Sequence, residues 1–164
     1  MDLRAQLRRL TGDCGGAALV EFTLVAPMLI GLMCGLAEFG QALRQYHVME
    51  KGVRDAARYL AHASASPPCT GVADPNWATY VGQAKNLAVY GVTSGGTALF
   101  KGWTDTTTVA VPDPTCLANP RVNGADLPQI TVTATVPYVD LGMLSALGLG
   151  SINLTVSHQE LKVS

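Results

Sequence analysis

The chain has 164 residues, a formal net charge of −1 and only 14% charged residues, against roughly 25% in an average soluble domain. That length leaves room for one membrane helix and one small domain, not for two enzyme-sized domains. The near-zero net charge removes any bulk electrostatic reason to bind nucleic acid.

Residues 1–16 form a short leader carrying Arg4, Arg8 and Arg9 and ending in Gly15 and Gly16, too short to fold alone. Residues 16–38 then read GAALVEFTLVAPMLIGLMCGLAE, with no charge between Phe22 and Ala37. About twenty such residues cross a bilayer as a helix. A removable secretory signal would have an apolar core of about 7–15 residues closed by small residues. This run is longer and continues into Glu38-Phe39-Gly40-Gln41-Ala42-Leu43-Arg44, so residues 17–38 read as a retained anchor. Glu21 is the acid inside it, and a carboxylate at mid-bilayer costs roughly 2.5–3.5 kcal/mol. Such a group has a partner or a task. Pro27 should kink the helix, because it removes a hydrogen bond and crowds the preceding turn; membrane helices tolerate this. Arg4, Arg8 and Arg9 precede the span while Arg44, Lys51, Arg54 and Arg58 follow it, so the positive-inside count does not set the orientation.

The helix is expected to continue beyond the membrane through residues 39–63, for a total of about 70 Å at 1.5 Å per residue. Met49, Val53, Ala56 and Leu60 recur at helical spacing as one apolar stripe. Glu50 with Arg54, and Lys51 with Asp55, are i,i+4 pairs on the polar faces. Pro67 and Pro68 end the helix.

Residues 64–164 read as a small α+β domain. A helix is predicted over 76–90, with Trp77, Val81, Ala84, Leu87 and Ala88 on one side and Gly91 at its end. Residues 93–97 form a turn and 107–111 a short strand cut off by Pro112. Residues 127–139 alternate, with Ile130, Val132, Ala134 and Val136 against Thr131, Thr133 and Thr135. Residues 152–157 repeat the alternation through Ile152, Leu154 and Val156, after an apolar, Gly-rich connection at 141–150. The expected fold is α+β: a long N-terminal helix packed by its stripe on a small antiparallel sheet.

The chain has 4 cysteines. Cys14 and Cys34 belong to the leader and the apolar helix, Cys34 as a small apolar-face residue. Cys69 and Cys116 fall in Pro-rich loops, SPPCTG and PDPTCLANP. In a small exported domain such a pair is expected to bridge, stabilising the fold by about 4 kcal/mol in the chain-entropy account. This expectation places the N-terminus in the cytoplasm and the domain outside.

Enzyme chemistry finds little support. The 3 histidines are His47, His62 and His158; His47 and His62 would lie about 22 Å apart on a straight helix and cannot share a metal. No H-E-x-x-H, G-x-S-x-G or Walker motif occurs. Residues 91–96 read as a turn, and the helical spacing of Trp77, Tyr80 and Tyr90 as core packing. No catalytic residue, metal or cofactor is expected, and the chain reads as a non-enzyme.

The junction at residues 16–22 resembles a type IV prepilin cleavage site: Gly16 before the scissile bond, Ala17 as the new N-terminus, Glu21 as fifth mature residue, then the aromatic Phe22. The resemblance implies that a membrane aspartyl peptidase cuts after Gly16 on the cytoplasmic side. It also implies that the Ala17 amine pairs with Glu21 of a neighbouring subunit. Each charge alone is costly in lipid, and pairing lowers both penalties. The competing physical reading leaves Glu21 near the interface, stabilised by the positive end of the helix macrodipole.

The wider segment is similar to the opening of the TadE-like family, the minor pilins or pseudopilins of tight-adherence (Flp) pilus systems. The matching features are Val20-Glu21-Phe22, Pro27, Glu38-Phe39-Gly40 and VRDAARYLA at 53–61. KNLAVYG at 85–91 and Pro137-Tyr138 are compatible with the family's C-terminal part. The resemblance implies a non-catalytic, single-pass inner-membrane subunit with a cytoplasmic N-terminus and a periplasmic C-terminal domain, acting in pilus assembly, secretion and adhesion. Its implied partners are the major Flp pilin, other TadE/TadF-type subunits, inner-membrane platform proteins and the prepilin peptidase, in a hetero-oligomer. It leaves open whether the leader is cleaved and whether the subunit enters the filament or stays in the base. The alternative is a generic signal-anchored envelope protein whose α+β domain is a binding module; Glu21 would then be dispensable and the binding face would lie on the sheet and its loops.

Overall fold

A computed structural model describes residues 15–69, 74–118 and 126–162; the leader up to Cys14 lies outside them. The chain divides into two compact units, Met1–Gly40 and Gln41–Ser164. Helix α1, Gly15–Ala61, contributes residues to both.

In the first unit every described residue is helical, and α1 runs through Pro27. Pro27 has no N–H to offer the Thr23 carbonyl one turn back, while the Thr23 hydroxyl donates to the Leu19 carbonyl at 2.7 Å. Leu19, Val20, Phe22, Leu24, Met28 and Ile30 are all exposed. At 100° per residue these positions point all around the axis, so this part of α1 is apolar on every side and has no polar face to turn to water. It is long and apolar enough to cross a membrane.

The second unit is α+β. It holds the rest of α1, helix α2 at Trp77–Tyr90, a 3-10 turn at Thr106–Thr108, strands β1 (Val109–Ala110), β2 (Thr115–Ala118) and β3 (Asp126–Pro137), the short helix α3 (Met143–Ala146) and strand β4 (Asn153–Leu161). The sheet is antiparallel and has 4 strands. Strand β3 is its centre. It pairs with β4 from Gln129↔Leu161 to Pro137↔Asn153 along one edge. The other edge takes β1 at Ala134 and Thr133 and β2 from Gln129 to Asp126. Between the pairs Ala110↔Thr133 and Thr115↔Gln129 the β1–β2 edge advances five residues while β3 advances four. Pro112 and Pro114 occupy that bulge, where missing N–H groups cost no ladder bond.

The alternation of β3 decides which face is buried. Ile130, Val132, Ala134 and Val136 are buried and meet Met49, Val53, Ala56 and Leu60 of α1 in one core, with Trp77, Ala84, Ala88 and Val89 of α2 and with Trp103. On the opposite face Thr133 and Ser157 share a hydrogen bond of 3.0 Å, and Thr135 and Thr155 one of 3.2 Å, across β3 and β4. Gly91 ends α2 in the left-handed conformation, φ 73°, and its N–H donates to the Leu87 carbonyl. Gly52 is the contact point of the two helices: a Cβ there would collide with the Ala88 carbonyl oxygen and come within 3.3 Å of the Trp103 ring.

Several expectations need correction. The strand expected at 107–111 is reduced to Val109–Ala110, because Thr106–Thr108 form the 3-10 turn. Asp105 drives that turn: hydrogen bonds from the Thr107 side chain and from the Thr107 N–H hold its carboxyl below its ordinary range, the N–H bond at 2.7 Å. The Trp103 indole N–H, donating to the Thr108 hydroxyl at 2.9 Å, reinforces it. Cys116 sits on a strand, not in a loop, because β3 begins early enough to pair with it at Pro128. Ile152 precedes β4 and is 52% exposed. Glu50 and Arg54 pair at 2.7 Å, whereas among the described residues Lys51 and Asp55 make no ion pair.

Lys162 was not singled out by any pattern. It is 7% exposed, its Nζ donates to the Ala63 carbonyl just past the end of α1, and its backbone N–H donates to the Pro128 carbonyl at 2.9 Å. The negative end of the helix favours a cation there, but burial pushes the ammonium below the ordinary lysine value of 10.5. A depressed lysine pKa means that the unfolded chain holds more protons than the folded one in the window just below 10.5, so stability rises with pH across that window. The Tm of the full chain in detergent is therefore expected to increase as the pH approaches 10.5 from below, and Lys162→Met to flatten the rise. Gly52→Ala is expected to lower stability by about 1–3 kcal/mol through the α1–α2 clash, despite alanine's better helix propensity, measured as a lowered Tm.

Candidate functional site

The residues singled out near the N-terminus lie on one element, so their spacing is helical. Gly16 and Ala17 lie on α1, whose described part opens at Gly15. A peptide bond in a helical turn must unwind to be cut in extended form, and two glycines make this the weakest turn of the helix. Glu21 lies four residues beyond Ala17, about 6 Å along the axis. It is exposed, and among the described residues no cation or hydrogen-bond donor engages its carboxylate. Phe22 beside it is 66% exposed. A carboxylate without a partner, flanked by side chains suited to hydrocarbon, is the chemical singularity of this segment. Pro27 lies further along the same helix, and Cys34 is free and half-buried.

The second constellation is covalent. Cys69 and Cys116 form a disulfide with a Cα–Cα distance of 5.5 Å. It ties the segment after α1 to strand β2. The bridged residues are 47 apart, and closing a loop of that length removes chain entropy worth about 4 kcal/mol.

A third arrangement joins residues far apart in the sequence. The Gln45 side chain is 2% exposed. Its amide donates to the Val139 carbonyl at 2.7 Å and its amide oxygen accepts the Val139 N–H at 3.1 Å. One glutamine thus satisfies both backbone groups of a residue at the start of the β3–β4 connection. Gly102 faces the same residue, since a Cβ there would collide with the Val139 side chain. Gln45 lies one helical turn before Met49 and so continues the buried stripe, but its spacing does not name a partner. Only the long-range contact makes it structural. The aromatic residues behave as packing: Trp77 is buried, Tyr80 shares a hydrogen bond with Ser64 at 2.8 Å, and Tyr90 donates to the Thr104 carbonyl at 2.7 Å.

Against known proteins, residues 16–58 match the TadE family model, described as TadE-like protein. This segment is similar to that family, over about a quarter of the chain. Neither a curated protein nor a solved structure gives a significant match to the chain. The TadE-like segment contains Gly16, Ala17, Glu21, Phe22 and Pro27, and also Met49, Val53 and Ala56 of the core. The sheet and the disulfide lie beyond it. The matched stretch overlaps the one helix, among the described residues, that is long and apolar enough to cross a bilayer.

Replacing both bridged cysteines (Cys69→Ser with Cys116→Ser) is expected to cost about 4 kcal/mol. The check is the denaturant midpoint of the full chain in detergent, to which the reduced wild type should fall.

Proposed function

We propose that this chain is a minor pilin or pseudopilin of a tight-adherence pilus, a non-catalytic subunit that acts in assembly and so in surface attachment. The observation that carries the proposal is the unpartnered Glu21 near the start of an all-round apolar helix, inside the TadE-like segment. In hydrocarbon such a carboxylate is stabilised by a cation at the same depth. Removal of residues 1–16 supplies one, the α-ammonium of Ala17. A neighbouring subunit's ammonium paired with Glu21 sets the axial stagger of adjacent helices, and the exposed Phe22 packs beside the pair. Pro27 bends the helix and thereby tunes the angle between neighbours.

In this reading the N-terminus lies in the cytoplasm and the α+β unit outside the inner membrane. The disulfide supports that orientation, since such bridges persist in oxidising compartments. The partners are the major Flp pilin, other TadE/TadF-type subunits, the inner-membrane platform and the prepilin peptidase.

The test combines mass and phenotype. The membrane-extracted protein is expected to have the mass of a chain starting at Ala17. Glu21→Ala is expected to cut piliation at least about tenfold, the equivalent of leaving one charge unpaired in lipid, with membrane abundance unchanged. A mature chain still starting at Met1, or normal piliation with Glu21→Gln, overturns the proposal.

A further inference from the structure

A cavity of about 200 Å³ opens in the second unit, lined by Gln41, Arg44, Gln45 and Val48 of α1, by residues 99–102 and by Val139. Its chemistry is one-sided. Arg44 and Lys101 are both exposed on its rim, and among the described residues neither is engaged by an ion pair or side-chain hydrogen bond. No acidic side chain lines it. Its floor is built firmly: Gln45 holds the Val139 backbone by two hydrogen bonds, Gly102 lies against the Val139 side chain, and Phe100 stacks on buried Trp103 at 5.8 Å. Leu99, Phe100 and Val139 make the walls apolar. Beyond Val139, Asp140 turns its carboxylate to the Ser145 N–H at 3.0 Å, and Leu141, Leu147, Leu149 and Ile152 are each more than half exposed.

Two unengaged cations over an apolar-walled cavity suit a phosphate ester attached to an apolar body. Arg44 follows the apolar run that ends at Glu38 within two helical turns, and residues flanking a span meet lipid headgroups. We propose that this cavity binds the phosphate of an anionic phospholipid, gripped by Arg44 and Lys101, with the exposed leucines of the β3–β4 connection against its glycerol and upper acyl groups. The proposal rests on the membrane-anchor reading but not on cleavage or on the role of Glu21.

The experiment uses the full chain in an uncharged detergent, with lipid retention read by native mass spectrometry against added phosphatidylglycerol or phosphatidylcholine. Phosphatidylglycerol is expected to be retained about tenfold better than phosphatidylcholine. Arg44→Gln with Lys101→Gln should abolish that preference, and Arg44→Lys with Lys101→Arg should keep it. Arg58→Gln with Lys85→Gln, an equal charge change outside the cavity, should leave it intact. Equal loss in both glutamine pairs, or no preference in the wild type, overturns the site. Competition by inorganic phosphate as effective as that by phosphatidylglycerol also overturns it, in favour of a free-anion site. Flotation of the wild type with vesicles separates the two readings. Failure to float removes the anchor itself, whereas flotation with an unchanged lipid preference in the cavity variant removes only the site.

Discussion

One helix has to satisfy two different surroundings, and that constraint organises the molecule. From Phe22 to Ala37, α1 carries no charge and is apolar on every side, so no orientation of the helix can present a polar face to water. From Gln45 onward the same backbone carries a single stripe, Met49, Val53, Ala56 and Leu60, which is buried without residual exposure. The first pattern is stable where there is no water. The second is stable only when another element covers it. The α+β unit is that cover: β3 brings four alternating apolar side chains to the stripe, and α2 approaches closely enough that position 52 has room only for hydrogen.

Charge is distributed to match. The all-round apolar part holds the isolated carboxylate of Glu21, and an isolated charge in such surroundings is an incomplete structure that asks for a cation. The second unit handles its charges locally, by pairing Glu50 with Arg54 and by seating Lys162 on the carbonyl of Ala63. Arg44 and Lys101, two of the cations that make no ion pair among the described residues, flank the same cavity. A carboxylate in the helix and two cations at the cavity rim are the groups on which the proposed contacts with other molecules rest.

The Gln45–Val139 contact and the Cys69–Cys116 bridge address the same weakness in different ways. The sheet depends on β3, and both long connections that flank its partners would otherwise be loosely held. The glutamine fixes the start of the β3–β4 connection by saturating a backbone residue that has left the ladder. The disulfide fixes the short edge strand β2, whose residues are all exposed and bury nothing that would hold it in place.

Local periodicity carries the elements whose surroundings are uniform along their length. The apolar run, the stripe on α1, the α2 face and the alternation of β3 were legible because a helix repeats every 3.6 residues and a strand every two. The placement of Gly16, Ala17, Glu21 and Phe22 on one helix was equally legible, so their sequence spacing already is spatial spacing. What the chain order alone could not decide depends on residues far apart meeting. Strand β2 exists because β3 extends to meet it, Thr106–Thr108 turn because Asp105 and Trp103 reach them, and Gln45 is structural only because Val139 arrives 94 residues later. Such contacts leave no periodic trace, because each is made once, between partners whose separation in sequence is set by the whole fold and not by the geometry of a single element.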